Sequence, residues 1–459
     1  MPSGLDDAVW IVSAYLIAYI VTMPFMGRLS DTWGRLRTYL ASLGLFAVGS
    51  IFVPLVDDLP WLIVFRVVQA LGGGAMVPVA MAIIGDIFPK GKRGLAMGVL
   101  ATVDTAGWVF GPLYGAFLVR YLDWRWQFYI NIPASLLAAA GAYFVLRRAP
   151  RAHRARSLDV SGAAVLAAGL VALNVALSLG GGRAASGPSF NFTGSPPATK
   201  AAPILLGVAA LLAIVFFAIE RRSANPLINL RMFRRPNFAP ACLINFLAGI
   251  ALIIAMVDVP LFVSIVLPEG TEMAYALQTA AARSGQVLAI MTGTMAVASV
   301  LGGWLCKRLG YRIPTILGLL LGAAGFALMS TWSVATEFAP MASHLALAGL
   351  GFGLVSAPVS ATVVDAVGET QRGVASGLVV ILRLIGMSVG LSLLTAWGLT
   401  RFDQLSSSYS TLQLTSGLVL QLTADVLDEM FLAAGVALLA AAAIAFLLHS
   451  RILDPERSA

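Results

Sequence analysis

The chain has 459 residues, of which 59% are hydrophobic and 11% are charged, and its mean hydropathy is +0.88. Soluble domains carry roughly 25% charged residues and disordered chains are polar, so a soluble enzyme and a disordered polypeptide are both excluded. The net charge of +8 has to be tested against membrane topology before any nucleic-acid partner is considered.

Apolar runs of the length needed to cross a hydrocarbon core, about 20 residues, succeed one another along the whole sequence. In chain order they cover 8–28, 38–56, 60–88, 94–121, 127–147, 158–180, 203–220, 238–267, 284–306, 313–333, 340–366, 372–400 and 428–448, thirteen spans in all. They predict an all-α membrane protein; a transmembrane barrel would show short alternating segments instead. Basic residues alternate between the connecting loops. One set of loops, from Arg28/Arg35/Arg37 through Lys90–Arg93, 147–156, 221–235, Lys307–Arg312 and Arg372 to Arg451 and Arg457, holds 22 Lys and Arg, and the other set holds six. This bias assigns the first set and the C-terminus to the cytoplasm, so the surplus charge is a topology signal and not a nucleic-acid patch. Attraction of the loops 147–156 and 221–235 to anionic lipid is a secondary expectation.

Cys242 and Cys306 lie in or at the end of apolar runs, and His153, His344 and His449 are far apart, so neither a disulfide framework nor a metal site is expected. The Gly72-Gly73-Gly74 run lacks the Lys-Ser or Lys-Thr of a phosphate loop, and no nucleophile–base constellation accompanies it; neither a cofactor nor enzyme chemistry is expected. The sequon at Asn191 would matter only in a eukaryotic secretory setting. Asp6 and Asp7 before the first run argue against a secretory signal.

An internal repeat is visible in two loops. Gly27-Arg28-Leu29-Ser30-Asp31-Thr32-Trp33-Gly34-Arg35 and Gly303-Trp304-Leu305-Cys306-Lys307-Arg308-Leu309-Gly310-Tyr311 share their glycine spacing, with Lys307 in the place of Asp31. These loops resemble the motif found once in each half of the major facilitator superfamily. Arg66-Val67-Val68-Gln69 resembles that superfamily's intramembrane arginine motif. Gly107, Gly111, Pro112 and Gly115 resemble its antiporter motif, and Trp124–Pro133 resembles a segment of the fourteen-span drug:proton antiporters. Asp258-Val259-Pro260 and Arg383-Leu384-Ile385-Gly386 look like the branch of mycobacterial-type exporters of triacylglycerides and lipoglycans.

The resemblance implies the major facilitator fold: two pseudo-symmetric helical bundles with two linker spans. Residues 1–150 would form the N-terminal bundle, 151–225 the linker spans and 226–459 a six-helix C-terminal bundle. Fourteen spans are the family's number, and the absent one would precede Met1. A start set too late, a truncation and a true variant are the three readings of that difference. The implied function is export of hydrophobic or amphiphilic molecules, lipids or drugs, against a proton gradient. Multidrug:proton antiport without a lipid role is one alternative, and a transport-incompetent fragment or partner-dependent membrane protein is another. Partners would be the proton gradient, the substrate and the surrounding lipids, and the lipid branch would allow an acceptor protein in the cell envelope.

Charges at membrane depth cost about 2.5–3.5 kcal/mol each on insertion scales, which makes them functional candidates. Asp104 shares one helix stripe with Gly107, Gly111 and Gly115; small residues there should pack on another helix, and a desolvated Asp104 could exchange a proton. A structural hydrogen bond is the plainer reading. Arg383, with Ser376, Gly386 and Gly390 around it, should point inward to a carboxylate. It would form either a switching pair or a permanent one, and the absent first helix would have carried its natural partner. The resemblance ties Arg66 to proton movement; a helix-to-helix anchor is the plainer alternative. Asp258 before Pro260 suits a substrate, proton or outer-gate role. Gly27, Arg28, Asp31, Gly34 and Arg35 would form a conformational latch. Asp86, Glu220 and Asp365, near cytoplasmic span ends, are expected as interfacial partners of basic residues. Residues 401–427 are expected as an outer loop lying on the membrane or over an exit route.

Overall fold

In the computed structural model, residues 5–147, 159–180, 201–223, 226–265, 273–409 and 416–449 are described. The basic stretch 148–156, the loop 181–200 with Asn191, and Arg451 and Arg457 lie outside them. The order is α1 (Leu5–Trp33), α2 (Arg35–Phe52), α3 (Leu59–Ile87), α4 (Lys90–Tyr121), a short α5 (Trp126–Tyr129), α6 (Asn131–Leu146), α7 (Val160–Gly180), α8 (Ala201–Arg222), α9 (Phe238–Ile265), α10 (Met273–Leu309), α11 (Arg312–Met329), α12 (Phe338–Asp365), α13 (Arg372–Ser406) and α14 (Ser416–Ala445). A five-residue 3-10 turn, Leu230–Arg234, precedes α9. Among the described residues ten helices are long and apolar enough to cross a membrane. α1, α4 and α7 run beside them, packed on α3 and α13, on α10 and α12, and on α8 respectively.

Two loop glycines end one helix and start the next for the same reason. Gly34 (φ 100) and Gly310 (φ 70) sit in the left-handed region, where a side chain would clash with the backbone. They turn α1 into α2 and α10 into α11. The first glycine of each repeat does different work. A Cβ on Gly27 would collide with the Gly373 carbonyl, and one on Gly303 with the Gly94 carbonyl. So α1 crosses α13, and α10 crosses α4, with backbone against backbone. These two crossings join the first six helices to the last six. α7 and α8 pair with each other, and α7 also touches α1 and α13.

The crossings lie at the end of the molecule that carries the basic loops, called here the basic end. From there α4 and α10 stay close through Gly98, whose Cβ would meet the Ser299 carbonyl, to a Thr102 Oγ1 hydrogen bond on the Ala296 carbonyl at 2.7 Å. Farther along, Gly285, on the α4-facing stripe of α10, has no described neighbour within 4 Å of a built Cβ. Among the described residues the close approaches of α4 and α10 lie toward the basic end.

Residues 416–427 correct one expectation. They belong to α14 and do not form a surface loop, and Leu418, Val419 and Leu420 pack on the main core. Their apolar face has enough period to prolong the helix inward.

Replacing Gly303 by Leu puts a side chain where the α4 backbone now lies. Small-residue crossings sit near the lower end of the roughly 8–10 Å range of helix separations, so the basic end should be wedged apart. Amide exchange of residues 90–98 should accelerate in Gly303→Leu; unchanged exchange would contradict the crossing.

Candidate functional site: a cross-braced end and a buried ion pair

At the basic end, Asp31 on the last turn of α1 accepts the Gly373 N–H at 3.0 Å and the Val374 N–H at 3.2 Å. These donors belong to the first turn of α13, where backbone N–H groups have no helical acceptor and the helix dipole favours a carboxylate. Arg35 binds the same Asp31, and its Nε donates to Asp86 Oδ2 at 2.7 Å. Arg372, from the other half, reaches Asp86 Oδ1 at 2.8 Å. Arg93 and the Tyr311 hydroxyl hold Asp365 in the same manner. Burial, and then the Asp365 carboxylate, push the Tyr311 phenol up, so it remains a donor. Arg28 is buried on α1 within electrostatic reach of Glu220. Of the five residues expected in a latch, Asp31 and Arg35 make these bonds, Gly27 and Gly34 shape the backbone, and Arg28 stands to one side.

The bracing has a two-fold logic that the loop comparison alone does not reveal. Asp86 takes Arg35 from its own half and Arg372 from the other; Asp365 takes Tyr311 from its own half and Arg93 from the other. The sequence carries the signal: Arg93-Gly94-Leu95-Ala96-Met97-Gly98 repeats as Arg372-Gly373-Val374-Ala375-Ser376-Gly377, with Asp86 and Asp365 at the same distance before each. The same offset relates Asp104 to Arg383. The repeat fails at one place for a physical reason. α13 begins at Arg372, so the Gly373 N–H is free for Asp31, whereas α4 begins at Lys90 and the Gly94 N–H is already inside the helix ladder. Lys307 therefore stands where an acceptor would find no donor.

The Asp104–Arg383 pair joins α4 to α13 deeper in the molecule, with Nη2 donating to Oδ2 at 3.1 Å. Arg383 thus finds a carboxylate in α4. The two side chains keep 21% and 23% of their exposure, which leaves both open to exchange with a cavity. That cavity is small, about 20 Å³, and is lined by Asp104, Thr105, Met256, Thr292, Met295 and Met387 among others. Tyr19 of α1 lies within electrostatic reach of both charges. α9 fixes α13 from behind: a Cβ on Gly249 would meet the Arg383 carbonyl and one on Gly386 the Phe246 carbonyl, while Asn245 Nδ2 donates to the Val379 carbonyl at 2.6 Å. Gly386 and Gly390 therefore pack on α9 of their own half.

The Asp104 stripe has few described neighbours. Gly107 and Gly111 have no described neighbour within 4 Å of a built Cβ, and Gly115 has only Gln127 Nε2, at 4.0 Å. At 3.6 residues per turn this stripe is rotated roughly a third of a turn from Gly94, Gly98 and Thr102. It continues the line of Asp104 into the space between the halves. Pro112 falls within α4, its side chain outside the described residues.

Arg66 and Asp258 stand apart from the pair. Arg66 donates to Gln69 Oε1 at 2.8 Å, Gln69 donates to Ser50 Oγ at 2.8 Å, and the guanidinium lies 4.2 Å over the Tyr15 ring. It ties α3 to α1 and α2. Asp258 is buried in α9, its Oδ2 without a hydrogen-bond partner among the described residues, beside a small cavity of about 10 Å³ lined by Leu391, Thr395, Gly398 and Leu427 among others.

Two half-repeats related by pseudo-symmetry, braced at the basic end and linked deeper in by an ion pair, describe a transporter. The sequence profile of the Major Facilitator Superfamily matches residues 4–391. The chain belongs to the Major Facilitator Superfamily. It is a multi-pass membrane transporter and not an enzyme. The triacylglyceride transporter of Mycobacterium tuberculosis (strain ATCC 25618 / H37Rv) is 32% identical over 426 residues, which cover 88% of this chain and 77% of the relative. The one from Mycolicibacterium hassiacum is 32% identical over 410 residues, covering 86% and 72%. Multidrug resistance protein 3 of Bacillus subtilis is 30% identical over 392 residues, covering 85% and 72%. The fold is shared with the human organic anion transporter MFSD10 (TM-score 0.58, 17% identity, 94% of this chain and 83% of that one).

Two substitutions separate the halves of the latch. Asp31→Ala removes the acceptor from the first turn of α13, a loss of about 1–2 kcal/mol by analogy with helix caps. A cysteine introduced at the buried Ser376, with Cys242 and Cys306 replaced, should then be alkylated roughly tenfold faster. Lys307→Asp should leave that rate unchanged, because the Gly94 N–H is already committed; a slower rate would show that the second copy can latch too.

Proposed function

We propose that this transporter exports hydrophobic or amphiphilic molecules in exchange for protons, by alternating access, with Asp104 as the proton-exchanging carboxylate. The observation that carries the reading is the Asp104–Arg383 pair, which joins the two halves away from the cross-braced basic end. Arginine keeps its charge, so only Asp104 can be neutralised. With the basic end in the cytoplasm, as the loop charges indicate, the opposite end faces outward. A proton arriving from that side cancels the carboxylate charge and frees Arg383 from α4. The link between the halves then weakens, the cross-brace opens in turn, and the cavity faces the cytoplasm. There the proton leaves and substrate enters. Re-forming the pair favours the outward-facing arrangement again.

The Gly107–Gly111–Gly115 face gives a wall without side chains along which an apolar substrate can move, and Met256, Met295 and Met387 can adapt to varied shapes. Asp258, buried with an unsatisfied oxygen, is a second site at which a proton could be held. Arg66 acts as an outer anchor that keeps α1 and α3 together as the halves move. The substrates would be lipids, in line with the relatives named triacylglyceride transporters, with drugs as the second reading from the relative named a multidrug resistance protein. The protein would work in the inner membrane with its C-terminus in the cytoplasm, and could deliver lipid to an acceptor in the cell envelope.

Transport into everted vesicles tests this, with a fluorescent triacylglyceride and a cationic dye as separate probes. An acid-interior gradient should drive uptake by the wild type. In Asp104→Asn the gradient-driven component should fall roughly tenfold or more, a normal size for site-to-site coupling, and Arg383→Ala should behave likewise. Full gradient-driven uptake in both variants would refute the assignment. Uptake of the dye alone would favour the drug reading over the lipid one.

A further inference from the structure

The two linker helices border an open groove that the transport route does not use. It offers about 510 Å³ between α7, α8, the 3-10 turn and α13, and its lining is apolar: Leu170, Leu206, Phe217, Phe233, Leu378 and Ile385 are typical. Ser392 of α13 donates to the Leu177 carbonyl of α7 at 3.0 Å and ties the two helices together beyond the lining residues. At the basic end the turn Leu230–Arg234 forms its rim. That rim is held in place by Glu220, which accepts the Leu227 and Ile228 N–H groups, both at 3.2 Å.

Leu230 and Phe233 of the turn line the cavity, while Arg231 and Arg234 of the same turn are exposed beside it. Arg221 and Arg222, also exposed, end α8 just past the lining residue Phe217. Among the described residues none of these four arginines is engaged in an ion pair. The nearby carboxylates are already used: Glu220 as above, and Asp159 on Ser161 and the Gly162 N–H. Along α8 the lining runs from Leu206 to Phe217, about 17 Å at 1.5 Å per residue. That is close to the roughly 15 Å depth of one leaflet's hydrocarbon.

We infer that this groove is a binding site for one anionic phospholipid, with an acyl chain against α7, α8 and α13 and its phosphate among Arg221, Arg222, Arg231 and Arg234. An aliphatic slot of one leaflet's depth with four unpaired guanidinium groups at its mouth complements a chain carrying a negative headgroup. A neutral lipid would leave those charges unmatched. Because Leu378, Ile381, Leu382 and Ile385 flank Arg383 on α13, the bound lipid would brace the helix that carries the ion pair. The inference does not depend on the direction or the substrate of transport.

Native mass spectrometry of the delipidated full-length protein tests it, with dioleoyl-phosphatidylglycerol, dioleoyl-phosphatidylcholine and triolein as probes. The first phosphatidylglycerol should bind about tenfold more tightly than the first phosphatidylcholine. The doubly substituted protein Arg231→Gln, Arg234→Gln, whose groove is intact, should lose that preference. Ala213→Phe, which fills the groove, should weaken both phospholipids at an unchanged melting temperature. Equal binding of the two phospholipids to the wild type would overturn the inference. So would an undiminished preference in the arginine variant, or displacement of phosphatidylglycerol by triolein.

Discussion

Two helix crossings with no side chains between them decide where this molecule is closed. At Gly27 over Gly373 and Gly303 over Gly94 any Cβ would strike a carbonyl of the other helix. Contact at these points is therefore backbone on backbone, and it fixes the register in which the remaining polar groups meet. With that register set, Asp86 and Asp365 fall between basic or hydroxyl partners drawn from both halves. Such buried pairs cost desolvation and add little net stability. Removing one partner, however, leaves an uncompensated charge worth about 3–5 kcal/mol. They therefore act as a specificity device: only one relative placement of the halves satisfies them all.

The pseudo-symmetry explains why the pair at depth is ionic. Asp104 and Arg383 occupy equivalent positions on equivalent helices, so a symmetric protein would bring two identical side chains toward each other. Opposite charges at that position turn a repeat into an attraction. The asymmetry at Lys307 follows the same logic. Because α4 starts a turn earlier than α13 relative to the repeat, the second copy has no open N–H groups for an acid to cap. The latch is single because of helix starts as much as of side-chain identity.

Much of this architecture was legible in the sequence. The thirteen apolar runs map onto thirteen long helices, because twenty-residue apolar periodicity has few alternatives in a membrane. The loop repeat located both glycine turns. Single-sequence reasoning found Asp104 and Arg383 as costly buried charges but could not pair them, since the pairing depends on a crossing nearly three hundred residues apart in the chain. The repeat around Arg93-Gly94 and Arg372-Gly373 held that information. The Gly107–Gly111 stripe, expected as a packing face, meets no helix among the described residues. Small residues allow close approach, yet they serve equally to leave a passage, and composition does not distinguish the two. The groove behind α13 was invisible because aliphatic runs look alike whether they meet protein or lipid.

Pulsed electron resonance between spin labels at Gly111→Cys and Gly285→Cys, across the outer end of α4 and α10, tests most directly whether Asp104 governs the opening. In otherwise wild-type protein, lowering the pH should move the distance distribution toward shorter values, as protonation releases Arg383 and the outer end closes. With Asp104→Asn added, the short population should persist at every pH. A distribution indifferent to pH, or an identical shift in the Asp104→Asn protein, would contradict the account.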